Sequence, residues 1–292
     1  MSKRALQAQD RCGPFRVERF VERGRTTEHY EVVHEADGDR GALWILTRDA
    51  AGDERERRRF EAETALLAEI DHPNIVRSLA SGEHDGLPWR VTDLVEGGSL
   101  RARLDANPAP MPAAVALCFA RQIVDAIEVL HAAGAAHGEL SAQSLLLTEI
   151  DEVKLADLGW APLTRGEPLD VSADVLAAGA VLREMAEGKG RARVERRFPD
   201  PFLAIVERAT APDPEERYSS MAALGDAVNE AWNELLEHSR GGSNLEQAIS
   251  SLAQALGSGG EEEGGKDPAA AGELEELLQK LVSAVKTAEK GP

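Results

Sequence analysis

At 292 residues with 42% hydrophobic content, the chain is long enough to bury a substantial core and has the composition of a soluble globular protein. Its 52 acidic and 33 basic residues give a net charge of -19, which argues against a general affinity for nucleic acid or for an anionic membrane surface. No apolar run reaches the ~18 residues of a transmembrane helix, Met1-Ser2-Lys3-Arg4 leads into no signal-like apolar core, and Cys12 and Cys118 are too isolated for a disulfide framework or a metal site, so a cytoplasmic protein with reduced thiols is expected.

The first elements read as strands. Phe15-Arg16-Val17-Glu18-Arg19-Phe20-Val21 alternates, and apolar runs follow around Tyr30-Glu31-Val32-Val33 and Ala42-Leu43-Trp44-Ile45-Leu46, with Asp37-Gly38-Asp39 as a turn. A small antiparallel sheet is expected there. Asp53 to Ile70 is a charged segment whose second half, from Phe60, carries apolar residues at helical spacing. His72-Pro73-Asn74-Ile75-Val76 forms a turn behind it, and Trp89 to Val95 reads as a strand entering the turn Glu96-Gly97-Gly98-Ser99-Leu100. Pro112 to Ala133 is an amphipathic helix with Val115, Leu117, Phe119, Ile123, Ile127 and Leu130 inward.

That helix delivers the chain to Ala136-His137-Gly138-Glu139-Leu140-Ser141-Ala142-Gln143-Ser144-Leu145-Leu146-Leu147, with Asp157-Leu158-Gly159 beyond it. By residue type and spacing this stretch resembles the catalytic loop and metal-binding turn of protein kinases, H-R-D-L-K-x-x-N followed by D-F-G. His72 to Val76, Asp174 within Ser172-Ala173-Asp174-Val175, and Arg217 in Pro214-Glu215-Glu216-Arg217 are similar to further segments of bacterial Ser/Thr kinases, in family order. The resemblance runs from about Phe15 to Trp232. It implies an α+β, bilobal protein-kinase-like fold: a small antiparallel β lobe with a C-helix, about 15–93, and a larger, mainly helical lobe, about 97–237. Residues 1–14 would be an N-terminal extension and 238–292 a tail.

The resemblance also assigns positions, many of them altered. Glu139 stands at the base and Ser144 at a metal-binding Asn, while Asp157 keeps the metal-binding acid. Of the Gly-rich loop only Gly24 remains, with Glu22 and Thr27 where two glycines would be. Ala42 keeps its place in V-A-I-K, but Trp44 replaces the phosphate-gripping Lys. No lysine occurs between Lys3 and Lys154, so only an arginine such as Arg23 or Arg25 is available to substitute. Thr92 falls at the gatekeeper, Leu94 at the adenine-binding hinge, and Leu146 on the strand beneath the nucleotide. His29 and Trp44 are expected to fill part of the adenine pocket. Structural roles follow for Glu63 as the C-helix acid, His137 beneath the loop, Asp174 as its buried cap, and Arg217. The acid that Arg217 normally pairs with is replaced by Leu163 in Ala161-Pro162-Leu163, which also leaves almost no activation loop.

In the tail, His238 to Ser243 reads as a flexible break before two amphipathic helices, about 244–256 and 268–288, joined by the Gly/Glu linker Gly257 to Gly265. These helices can dock on the kinase-like body, self-associate or bind a protein partner. With the lysine, the catalytic-loop Lys and the second metal ligand all absent, the resemblance implies a catalytically impaired scaffold or allosteric signalling module. An atypical Ser/Thr kinase with Glu139 as base and Asp157 on Mg²⁺, and a non-hydrolysing nucleotide sensor, are the alternatives. No cofactor is expected, or ATP with Mg²⁺ held weakly.

Overall fold

The computed structural model describes residues 4–158, 171–188 and 200–240. Gly159, the Ala161-Pro162-Leu163 reading and both tail helices lie outside the described residues. Contacts divide the chain into Met1–Asn229 and Glu230–Pro292; everything below concerns the first unit, apart from the end of the last described helix.

The small lobe is an antiparallel sheet of β1 (Arg11–Cys12), β2 (Phe15–Arg23), β3 (Thr27–His34), β4 (Arg40–Leu46), β5 (Ser78–His84) and β6 (Leu87–Asp93), in the order β1-β2-β3-β4-β6-β5. Between β4 and β5 lie α1 (Arg48–Ala51) and α2 (Glu54–Glu69). Asp53 caps α2, its carboxylate accepting the Arg55 N–H at 2.9 Å. The alternation expected along β2 breaks at bulges between Val17 and Arg19 and between Phe20 and Glu22. Phe20 therefore turns toward the core and packs on Tyr30, while Val21 is exposed.

Residues 4–14, expected to form part of a mere extension, belong to this lobe. Arg11–Cys12 pairs with β2, Leu6 and Cys12 are buried with Tyr30, Val32 and Trp89, and the Leu6 N–H donates to the Tyr30 hydroxyl at 3.1 Å. Leu6 reaches the core only because the chain folds back, which short-range patterning does not reveal.

The large lobe follows with α3 (Leu100–Ala106), α4 (Ala113–Ala132), the hairpin β7 (Leu145–Leu147) and β8 (Val153–Leu155), α5 (Ser172–Glu187), α6 (Asp200–Ala209), a 3-10 turn at Pro214–Glu216 and α7 (Met221–Arg240). All six α4 residues expected inward are buried; each side chain of this size contributes about 1.5–3 kcal/mol on burial. The break was expected to start at His238, but α7 continues through Arg240.

The turn His72 to Val76 knits the lobes. Val76 N–H donates to Leu155 O at 3.0 Å and Leu155 N–H to Asn74 O at 2.8 Å, while Asn74 Nδ2 reaches Gln122 Oε1 at 2.8 Å. Gly97 marks the other crossing: a Cβ there would lie 2.4 Å from Leu147 O, too close for any side chain.

Candidate functional site

The roof of the cleft is one face of the sheet. Glu22 pairs with His29, His29 with Trp44 and Trp44 with Arg90, so these four side chains form a cross-strand row. The rings of His29 and Trp44 stack at 4.1 Å with planes 6° apart. Burial holds the imidazole neutral, lowering its pKa to about 4, with Glu31 pulling up and Arg19 down. The indole thus occupies the place where a lysine was expected.

The acid of α2 nevertheless has a cation. Arg90 Nη2 donates to Glu63 Oε1 at 2.7 Å, with the two side chains 6% and 14% exposed, and the guanidinium lies over the Phe60 ring. An arginine does stand in for the lysine beside this acid, but it is neither of the two the sequence offered as examples, Arg23 and Arg25. Arg23 pairs with buried Glu28 at 3.2 Å, and Arg25 with Glu56 at 3.2 Å. Arg90 was overlooked, though a signal existed: it interrupts an apolar strand two residues before Thr92, and period-2 alternation puts both on one face.

The β2–β3 hairpin tip is closed by its own backbone. Gly24 N–H donates to Thr27 O at 2.9 Å, and Thr47 N–H to Thr26 O at 2.8 Å. A Cβ on Gly24 would meet nothing nearer than 3.6 Å, so this turn does not demand a glycine. Ala42 and Thr92 are buried partners across β4 and β6. Leu94 lies half-buried on the hinge, beside an outer groove it shares with Val95 and Ile150. Leu146, central in β7, bridges to Ser99.

The floor is built around Asp174, wholly buried at the start of α5. Its carboxylate accepts the N–H groups of His137 at 2.8 Å and Gly138 at 2.7 Å, with His131 Nε2 at 2.7 Å. Burial alone would raise this carboxyl, but the bond to His131 and the two backbone bonds outweigh it and hold the carboxyl below its ordinary range. His131, on the last turn of α4, was not anticipated. Gly138 sits at φ +75°, where the arginine found here in kinases would be strained. His137 is fully buried and pushed toward its neutral form by that burial, against Asp174.

Two polar side chains of the loop, Ser144 and Glu139, find partners within the protein. Ser144 is buried; its Oγ donates to Ser141 O at 3.0 Å and accepts the Ser141 N–H at 3.1 Å. Glu139 is 69% exposed and lies 3.6 Å from Arg59 Nη2 of α2, a contact the sequence did not suggest. Asp157, at φ +48°, opens to the cleft. The surrounding walls still raise its carboxyl above the usual range, Arg90 opposing this and Glu63 reinforcing it. Arg217 binds Ala211 O at 2.8 Å, Ser172 Oγ at 3.1 Å and Pro212 O at 3.1 Å, a set of neutral acceptors.

Between roof and floor is a cavity of about 260 Å³, bounded by the hairpin tip, Trp44 and α2. Among the described residues its walls carry the carboxylates of Glu56, Glu63, Glu139 and Asp157 and one guanidinium, that of Arg59.

A β lobe with one capping helix, a helical lobe and a loop held from below by a buried acid define the protein kinase fold. The family model for protein tyrosine and serine/threonine kinases matches residues 20–173, and the chain belongs to that family. Among curated proteins it is 27% identical to the serine/threonine-protein kinase PknH of Mycobacterium bovis over 267 residues, 76% of this chain and 44% of that protein. It is 26% identical to PknI of Mycobacterium tuberculosis over 256 residues, 78% of this chain and 43% of that one. The chain spans less than half the length of these relatives. The crystal structure of the Mycobacterium tuberculosis PknI kinase domain superposes with a TM-score of 0.63 at 28% identity, covering 78% of this chain and all of that one.

Proposed function

We propose that this chain is a catalytically impaired kinase-like domain, a pseudokinase, acting in the cytoplasm as a scaffold or allosteric module. Binding of a protein partner, or self-association, through the C-terminal helices completes this reading. The observation that carries it is the charge of the cleft. The family implies ATP with Mg²⁺, and the residues present do not fit it: among the described residues four carboxylates and one guanidinium line the cavity where a polyphosphate would lie, so that even with Glu56 and Glu63 paired to Arg25 and Arg90 the lining offers no excess of positive charge, and an indole stands in the lysine's place. Ser144, at the position of the second metal ligand, is bonded to its own loop. Phosphoryl transfer relies on electrostatic positioning. Losing one such contact costs about 10²–10³ in rate; several losses do not simply multiply, but together they leave little activity.

A second reading, an atypical Ser/Thr kinase, draws on one observation: Glu139 and Asp157 both line the cavity. The two readings separate in a thermal-shift titration with ATP and ADP, with and without Mg²⁺, run beside a transfer assay with labelled ATP. The pseudokinase gives no shift at millimolar nucleotide and no transfer, since specific binding to the native state must raise the midpoint. A Mg²⁺-dependent shift with transfer, both lost in Asp157→Ala, would establish the enzyme instead.

A further inference from the structure

In an active kinase the acid of the C-helix pairs with a lysine that also grips the nucleotide phosphates, so helix position and nucleotide are coupled through one cation. Here the cation comes from a different strand. We propose that Arg90 is a built-in counter-ion that keeps α2 docked on the sheet independently of any nucleotide. This goes beyond the functional reading above and holds whether or not the domain transfers phosphate.

Three observations support it. Phe60 and Glu63 lie one turn apart on α2 and so on one face, and the Arg90 guanidinium meets both, stacked at 4.7 Å on the first and bonded at 2.7 Å to the second. Two independent contacts therefore fix the rotation of the helix as well as its distance from β6. Secondly, Arg90 is 5% exposed, and its Nε and Nη1 are buried without a hydrogen-bond partner among the described residues. An arginine cannot shed its proton; among the described residues Glu63 is the carboxylate bonded directly to this buried guanidinium, and separating them leaves that charge uncompensated. Thirdly, Trp44 and Glu63 line the cavity whereas Arg90 does not. A ligand in the cleft meets the indole and the acid but not the guanidinium, so the pair cannot be shared with a phosphate as the lysine's is.

Further pairs hold α2 at its edges. Arg57 reaches Glu83 at 2.5 Å and Gly86 O at 3.0 Å, and Arg25 reaches Glu56. One partner of each pair is exposed, Glu83 at 55% and Arg25 at 73%, and pairs open to solvent contribute little. The buried pair is the one that distinguishes a docked α2 from a loose one.

Hydrogen exchange on the full-length chain tests this directly. In the wild type the α2 amides should exchange slowly, at a rate unchanged by millimolar ATP with Mg²⁺. Arg90→Ala should speed α2 exchange by about tenfold or more, as expected when a buried ion pair no longer opposes local opening, while α4 stays protected and shows that the large lobe is folded. Arg90→Lys, which keeps the charge but not the planar fork, should recover most of the protection. Should Arg90→Ala fail to fold, Glu63→Gln serves in its place and should speed α2 exchange in the same direction. Unchanged α2 protection in the variant tested, or wild-type protection that rises with nucleotide, would overturn the proposal. Phosphate transfer by the wild type would overturn the pseudokinase reading and leave this one standing.

Discussion

The floor and the roof of the cleft have diverged from the kinase pattern in different ways. Beneath the loop, Asp174 still binds the backbone of His137 and Gly138, although the side chains at positions 138, 139, 141 and 144 have changed around it. Above the cleft the lysine is gone, yet its partner acid Glu63 remains, re-paired with an arginine from the neighbouring strand. A carboxylate that holds N–H groups is indifferent to the side chains carried by those residues, so the floor survives their replacement. A carboxylate that faces a cation depends on that cation. Once it is lost, either the acid must go or a new partner must appear, because an unpaired buried charge costs several kcal/mol.

This contrast predicts where substitutions are felt. Asp174→Ala strands His131 and two backbone N–H groups at a fully buried position, and should cost about 3–5 kcal/mol in chemical denaturation. A loss below about 1 kcal/mol would mean that the floor is held by packing rather than by this acid. Because the Asp174 carboxyl is depressed, its contribution is present above the ordinary carboxylate range and fades as pH falls through the lowered value.

In the roof the sign comes from His29. Its pKa drops from 6.5 to about 4 on folding, so between those values the unfolded chain binds more protons and stability rises with pH. Its full contribution is present above about pH 6.5 and is lost on acidification toward 4, amounting to roughly 3 kcal/mol. Unfolding midpoints measured across that window should climb in the wild type, and His29→Phe, which keeps a ring on Trp44, should remove this part of the rise. An unaltered pH profile in that variant would show that the stack does not exclude the charged imidazole.

The smallest effect is expected where roof and floor meet. Arg59 and Glu139 lie 3.6 Å apart with the acid 69% exposed, so Arg59→Ala should change stability by less than about 1 kcal/mol. A larger loss would show the two lobes clamped through the cleft.

Much of this architecture was legible along the chain. The helical period of Val115 to Leu130 and the strands of the small lobe are short-range patterns, and the structure places them as expected, while the ordered series from His72 to Arg217 carried the resemblance to the family. The degenerate positions were equally visible, since Trp44, Glu139 and Ser144 are changes of residue type. What remained hidden was pairing. Arg90 and Glu63 are 27 residues apart, Arg59 and Glu139 lie on different lobes, and His131 reaches Asp174 across 43 residues. Local sequence dictates periodicity and residue type, and through them which face of an element is apolar. Which arginine among many meets a given acid depends on strand order, register and helix rotation, and these are set only when the elements pack.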